Sequence, residues 1–269
     1  MDKEFRMVPV DGHVHFHSLE RVSVTLDAAA ASFQRYRDGT PGCLGALLLN
    51  QASREHVFES LHPGASCGAW AISPVEQEPE SLIAEKAGDW IAIVCGRQIR
   101  CEKGLEVAAL GTLQEYPEGR DVGGTVTRVR ESGALACMPW GFGKWSGARG
   151  RVVERLLAHS DPASLTVCDN GGRLQALGRP RLVREAARRG FKILPGTDPF
   201  PVGDDYRRAG TFGFLAAEPG RSHPWSDLLN WLRALDGSPE PFGTALGPVR
   251  FVQNNIGIQL HNRRMRKEA

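Results

Sequence analysis

The chain has 269 residues, 33 Lys plus Arg against 31 Asp plus Glu, and a net charge of +2. No basic domain or stripe stands out, so nucleic acid is not expected as a partner; the one dense cluster, Arg263, Arg264, Arg266 and Lys267, reads as a solvated basic tail over 262–269. At 41% hydrophobic and 24% charged, the composition excludes disordered and fibrous classes, and no apolar run approaches the roughly 18 residues of a membrane span. The opening Met1 to Arg6 is charged and lacks a secretory signal, so a cytoplasmic protein with no membrane partner is expected. Six cysteines without a C-x-x-C pair, mostly in apolar runs, read as small buried hydrophobes rather than a disulfide framework.

In chain order, the pattern predicts a strand over 7–15, a helix over 26–37, a strand over 43–49 and a helix over 54–61. Four closely spaced strands follow over 70–73, 90–95, 98–101 and 105–110, without an intervening helix, as a hairpin or meander would give. A helix over 122–131, opened by Asp121, precedes a strand over 134–138 and a helix over 150–159. Then come a strand over 165–168, a helix over 181–189, strands over 192–194 and 211–215, and a helix over 225–235 introduced by Pro224-Trp225. Repeated strand, helix, strand order argues for a parallel sheet closed into a TIM-like α/β barrel, and 1–269 reads as one domain, since such barrels use about 200 to 250 residues.

The first strand carries Asp11-Gly12-His13-Val14-His15. Side chains alternate along a strand, so Asp11, His13 and His15 are expected on one face and Val10, Val14 and Phe16 on the other. Two imidazoles at a strand end suit a metal ion, or two hydrogen-bonded histidines in a polar mouth. The strand over 192–194 runs into Gly196-Thr197-Asp198-Pro199, where Asp198 is either an Asx turn or a third ligand reaching the same mouth. The stretch from Pro139 to Arg151 holds three glycines before Gly150 together with Lys144, Arg149 and two tryptophans. Glycines and a helix start let backbone amides surround an anion, with Lys144 and Arg149 adding charge and Trp140 stacking, although no Walker pattern is present.

These segments together resemble the polymerase and histidinol phosphatase (PHP) family. The resemblance spans residue 7 to about residue 200. Asp11 to His15 is similar to the opening D-x-H-x-H, and Arg97-Gln98-Ile99 with Leu105 to Gly111 to the paired strands of G-x-E-[IV] type. Met138-Pro139 is similar to the A-x-H-P strand, Cys168-Asp169-Asn170 to E-x-x-N, and Gly196-Thr197-Asp198 to the closing G-S-D-x-H. The resemblance implies a distorted seven-fold β/α barrel with metals at the C-terminal strand ends. It also places Arg97 and Arg100 near the mouth.

The ligand set departs from the family pattern. Asn50-Gln51 stands for T-D-H, Gln98 for the glutamate, Met138 for a histidine and Phe200 for the last histidine. His13, His15 and Asp198 remain as catalytic and metal-binding candidates, with Lys144, Arg149, Trp140, Arg97, Asn50 and Gln98 as substrate-binding ones. Several divalent ions would repel too strongly with so few carboxylates, because unit charges 4 Å apart interact by about 4 kcal/mol even at an effective dielectric of 20. At most one divalent ion, Zn or Fe/Mn, is therefore expected.

The expected activity is a metal-dependent phosphoesterase acting on a small anionic metabolite. The alternatives are a non-catalytic barrel that binds a phosphorylated or carboxylated ligand, and an amidohydrolase-type hydrolase, which would need further histidines on middle strands. A metal-free nucleophile at Cys168 or Asp169 is a remainder without a base at recognisable spacing.

Overall fold

The computed structural model describes residues 6–37, 39–53, 55–65 and 67–268, and their side chains except those of 262 and 264–268. Part of the opening charged segment, the expected helix start at Arg54 and the side chains of Arg264, Arg266 and Lys267 lie outside the described set. Thirteen strands and seven α-helices are found in the described residues. They run β1 (Met7–Val14), α1 (Val22–Phe33), β2 (Cys43–Leu49), β3 (Gln51–Ala52), α2 (Val57–Ser60), β4 (Ala71–Pro74), β5 (Ser81–Lys86), β6 (Asp89–Val94), β7 (Gly96–Arg100) and β8 (Glu106–Leu110). The second half holds α3 (Val122–Glu131), β9 (Leu135–Pro139), α4 (Gly147–His159), β10 (Thr166–Asn170), α5 (Arg181–Arg188), β11 (Ile193–Gly196), β12 (Phe212–Ala217), α6 (Pro224–Ala234), β13 (Pro241–Gly243) and α7 (Pro248–Glu268).

Main-chain pairing gives two sheets where a single ring was expected. One runs β13-β12-β1-β2-β6-β5-β4 and the other β11-β10-β9-β8-β7-β3. β1, β2 and β6 are parallel, as are β9, β10 and β11, while β12 joins β1 antiparallel. The helix-free stretch forms the β4-β5-β6 meander and the β7-β8 hairpin. The sheets approach each other where β11 lies against β1. The Asp198 N–H donates to the His13 carbonyl at 2.8 Å, and a Cβ on Gly196 would collide with the His13 backbone nitrogen. Only a residue without a side chain fits that contact.

Both sheets contribute to one central apolar cluster, in which Val10 and Leu48 meet Cys168, Leu194 and Phe214. Two outer clusters bury the helices. Phe33 and Leu26 of α1 pack with Val14 and Leu47, and Val126 and Val129 of α3 pack with Val107 and Val167. α6 seals one end with Trp225, Leu228 and Leu232, next to the N-terminal ends of β9 and β11 at Leu135 and Lys192. The C-terminal ends of the parallel strands stay free for a site.

Two sequence expectations are corrected here. Cys137 and Cys168 form a disulfide, and the other four cysteines are free and buried. Parallel pairing sets Cys168 opposite Pro139, two residues past Cys137, with both cysteines in the central cluster and their Cα atoms 6.2 Å apart, a separation that a disulfide spans. The tail is not a separate unit, since α7 runs through it to Glu268. α7 is anchored by polar contacts: Asn254 Nδ2 donates to the buried Asp205 at 2.8 Å, and Arg250 pairs with Asp204 and Asp205.

Candidate metal centre

β1 does not keep its alternation to the end. Its register with β2 shifts between Asp11 and Val14, and Val10 and Val14 enter different clusters. Past that irregularity His13 and His15 turn to the C-terminal strand ends with 1% and 7% of their surface exposed. Asp198 reaches them from the end of β11 with a backbone φ of 48°, a left-handed conformation that Asp tolerates better than most residues.

The three donors converge. His13 Nε2 and His15 Nε2 are 3.1 Å apart, and Asp198 Oδ1 lies 3.6 Å from the first and 3.4 Å from the second. Four ligands at the 2.0–2.1 Å bond length of Zn–nitrogen sites stand roughly 3.3 Å apart in a tetrahedron, so the triangle is already of that size. His13 Nδ1 and His15 Nδ1 are buried without hydrogen-bond partners, as are the side-chain oxygens of Asn50 and Asn170. Buried polar atoms are seldom left so, and Asn170 Oδ1, on a residue that lines the cleft, is one that a bound cation or its water would answer. Asn170 Nδ2 donates to Asp198 Oδ2 at 2.9 Å, which turns Oδ1 toward the imidazoles. The residues present fit one divalent ion.

Electrostatics separate the two histidines. Burial, reinforced by the neighbouring His15 and Lys144, lowers the His13 pKa to about 4 against the pull of Asp198. For His15 burial is again the largest effect and opposes charge, but the neighbouring Asp198 and Glu55 carboxylates outweigh it and raise the value to about 9. Asp198 is half-buried, and although that desolvation pushes its pKa up, the imidazoles hold it well below the usual carboxylate range. The two imidazoles that share the Nε2···Nε2 contact are thus pushed in opposite directions.

Asp11 ties strand ends together rather than facing the imidazole rings. Its carboxylate accepts from Thr197 N–H (2.8 Å), Thr197 Oγ1 (2.6 Å), Gly210 N–H (2.8 Å) and His13 N–H (3.3 Å). It fastens β1 to the end of β11 and the start of β12 and orients no imidazole. Complete burial is the dominant effect on it and raises its pKa to about 6.

The other candidates divide. Gln98, Lys144 and Trp140 line a cleft of about 770 Å³ that also holds His15, Asp198 and Asn170. Lys144 Nζ is paired with Glu106 at 2.5 Å. Asn50 is fully buried and does not line the cleft, its amide donating to the Leu48 carbonyl at 3.3 Å. Arg97 neighbours Gln98 on β7 and so points to the opposite face, where it is buried against Glu59 and Glu115. Arg149 folds back in the first turn of α4 and donates to the Gly143 carbonyl at 2.9 Å. The remainder nucleophiles are both engaged, Cys168 in the disulfide and Asp169 by Arg173 and Arg179 at 2.8 and 3.1 Å.

Sequence reasoning missed Glu55, His17 and Glu106, which line the same cleft, and the wall that α7 supplies through Asn255, Ile258, Gln259 and His261. His15, His17 and Glu55 form a second group of donors able to hold a cation. The H-x-H run continues to His17, which could have drawn attention; Glu55 carries no such signal.

No family model matches the chain, and no curated protein matches it. Among solved structures the chain is similar to PsfC from Pseudomonas syringae PB-5123, with a TM-score of 0.61 and 15% identity over 93% of this chain and 97% of that one. It is also similar to the lesion-specific endonuclease PfuEndoQ from Pyrococcus furiosus, with a TM-score of 0.54 and 8% identity over 87% of this chain and 57% of that one. At such identities these likenesses show a shared α/β fold. They also correct the exclusion of nucleic acid: a fold of this kind occurs in an endonuclease, so a near-neutral net charge does not rule out that partner. No helix among the described residues is long and apolar enough to cross a membrane.

Proposed function

We propose that the chain is a metal-dependent hydrolase on a divergent PHP-type barrel, acting on a phosphoester through one divalent ion held by His13, His15 and Asp198. The observation that carries this reading is the triangle of donor atoms at 3.1, 3.4 and 3.6 Å, at the C-terminal ends of β1 and β11. A bound ion would supply Lewis acidity, polarising a phosphoryl oxygen and acidifying water. The chain's own residues do the rest. Asn170 fixes the Asp198 carboxylate, Lys144 sits where it can neutralise charge on a phosphoryl group, and Trp140 gives an apolar wall. A cleft of about 770 Å³ falls within the range of small-molecule sites, which favours a compact substrate.

Elemental analysis of purified protein, followed by turnover on a panel of phosphomonoesters and an oligonucleotide phosphodiester, tests the reading. One ion per chain, lost together with turnover in His13→Ala, is the expected result; no stoichiometric ion and unchanged turnover in that variant would sink it. A second reading, a barrel that binds an anionic ligand without turning it over, is supported by Arg100 and Lys144, two cations that line the cleft. Its sign is thermal stabilisation by inorganic phosphate that persists in chelator and is lost in Lys144→Ala but not in Asp198→Asn.

A further inference from the structure

Glu55 and His17 stand outside the donor triangle, on the turn after β3 and just past the end of β1. Both line the cleft, and their contacts converge on His15. We infer that Glu55 is the positioning residue that orients His15 for metal ligation, with His17 as the brace that holds Glu55; this rests on the reading of His13, His15 and Asp198 as the ion-holding set.

The geometry runs from the brace inward. His17 adopts a left-handed backbone with φ of 59°, uncommon for a non-glycine residue, and its ring stacks on that of His15 with centroids 5.2 Å apart and planes 12° from parallel. Its Nε2 lies 2.8 Å from the Pro199 carbonyl, an acceptor, so that nitrogen donates. Pro199 directly follows Asp198, and the contact ties the end of β1 to the ligand-bearing end of β11. On the other side, His17 Nδ1 lies 3.2 Å from Glu55 Oε1, also an acceptor, so the two contacts form together only when both ring nitrogens carry hydrogen.

Glu55 Oε2 accepts the Ala52 N–H at 3.1 Å and faces His15 Nδ1 at 3.8 Å. That Nδ1 is one of the buried nitrogens without a hydrogen-bond partner, and a closure of under about 1 Å brings it to hydrogen-bond length. A hydrogen on Nδ1 donated to Glu55 leaves the Nε2 lone pair directed at His13 Nε2 and Asp198 Oδ1, the tautomer that ligation requires. Metal-bound histidines almost always donate their second nitrogen to a carboxylate, a carbonyl or water, and loss of that partner weakens metal affinity by roughly 10 to 100-fold. The end of β2 carries the neutral Asn50, and Glu55 returns a carboxylate to the site from the turn beyond it.

The test uses the full chain, stripped with chelator and titrated with Zn²⁺ alone and then Co²⁺ alone, against a chromophoric competitor. Wild type is expected to bind one ion. Glu55→Gln is expected to bind one ion about 10 to 100-fold more weakly, with a shifted Co²⁺ visible spectrum, and Glu55→Asp to recover part of the affinity. His17→Gln is expected to move both readouts in the same direction by less, and it serves if Glu55→Gln fails to fold by circular dichroism. Wild-type affinity and an unchanged spectrum in Glu55→Gln or, if that variant does not fold, in His17→Gln would overturn the inference while leaving the ion site intact. So would two ions per wild-type chain with one lost in the variant, because Glu55 would then be a ligand itself. No ion in wild type removes the parent reading, and this inference with it.

Discussion

Asp198 shows how much one residue at a strand end can carry. Its N–H fixes the β1–β11 contact, one carboxylate oxygen takes Asn170, and the other faces two imidazoles. The protonation of His15 follows from this arrangement and can be read in stability. Its folded value of about 9 lies above the ordinary 6.5, so its contribution is complete below about pH 6.5 and fades as pH rises through 9. The melting temperature of metal-free wild type is therefore expected to fall from pH 6.5 to 9, and that of His15→Gln to fall less; equal slopes in thermal melts would contradict the assignment. His13, His15 and Asp198 were legible as candidates because a strand end leaves few places for a side chain to go. Glu55 and Glu106 were not, since their approach depends on turns and on pairing between distant strands. The Arg97 error was one of phase: a single step along β7 exchanges cleft for interior.

The elements that place these residues depend on close backbone approach as much as on apolar pattern. A methyl group on Gly196 would enter the His13 backbone. Gly196→Ala is expected to cost about 1–3 kcal/mol in denaturant unfolding and to weaken ion binding as the two strand ends part. Gly247, which has open space around its Cβ direction, is the control, and Gly247→Ala should do neither. Asp121, by contrast, caps α3 by accepting the Gly124 N–H at 2.7 Å. Asp121→Ala should cost about 1 kcal/mol and leave ion affinity alone, as paired melts and metal titrations would show. That cap is also why the start of α3 could be read from sequence. α7 could not be, because Val249, Val252, Ile256 and Leu260 are 50–70% exposed and its anchorage is polar, through Asn254 and Arg250 to Asp205. A helix held in this way presents no buried apolar stripe to find.

At the scale of the whole molecule, alternation of strands and helices pointed to an α/β fold, but periodicity contains no record of which strand pairs with which. β12 joining β1 antiparallel, and the division into two sheets around one core, lie beyond it. The same gap hid the disulfide, which depends on β9 and β10 being neighbours. Thiol titration of the unfolded chain without reductant is expected to find the four free cysteines, and after reduction all six. Six thiols in both conditions would contradict the bridge. The net charge of +2 likewise averages over a cleft in which Arg100, Lys144 and the histidines stand among Glu55, Glu106 and Asp198.

The wall that α7 gives to the cleft divides labour along the polypeptide. In the proposed reading His13, His15 and Asp198 carry the chemistry, whereas Ile258, Gln259 and His261 shape the cleft that a substrate would enter. Ile258→Ala should accordingly alter KM and leave ion content as it was, which steady-state kinetics with parallel metal analysis would reveal. In that reading, drift in a single late helix would change which molecules enter while the residues that hold the ion stay untouched.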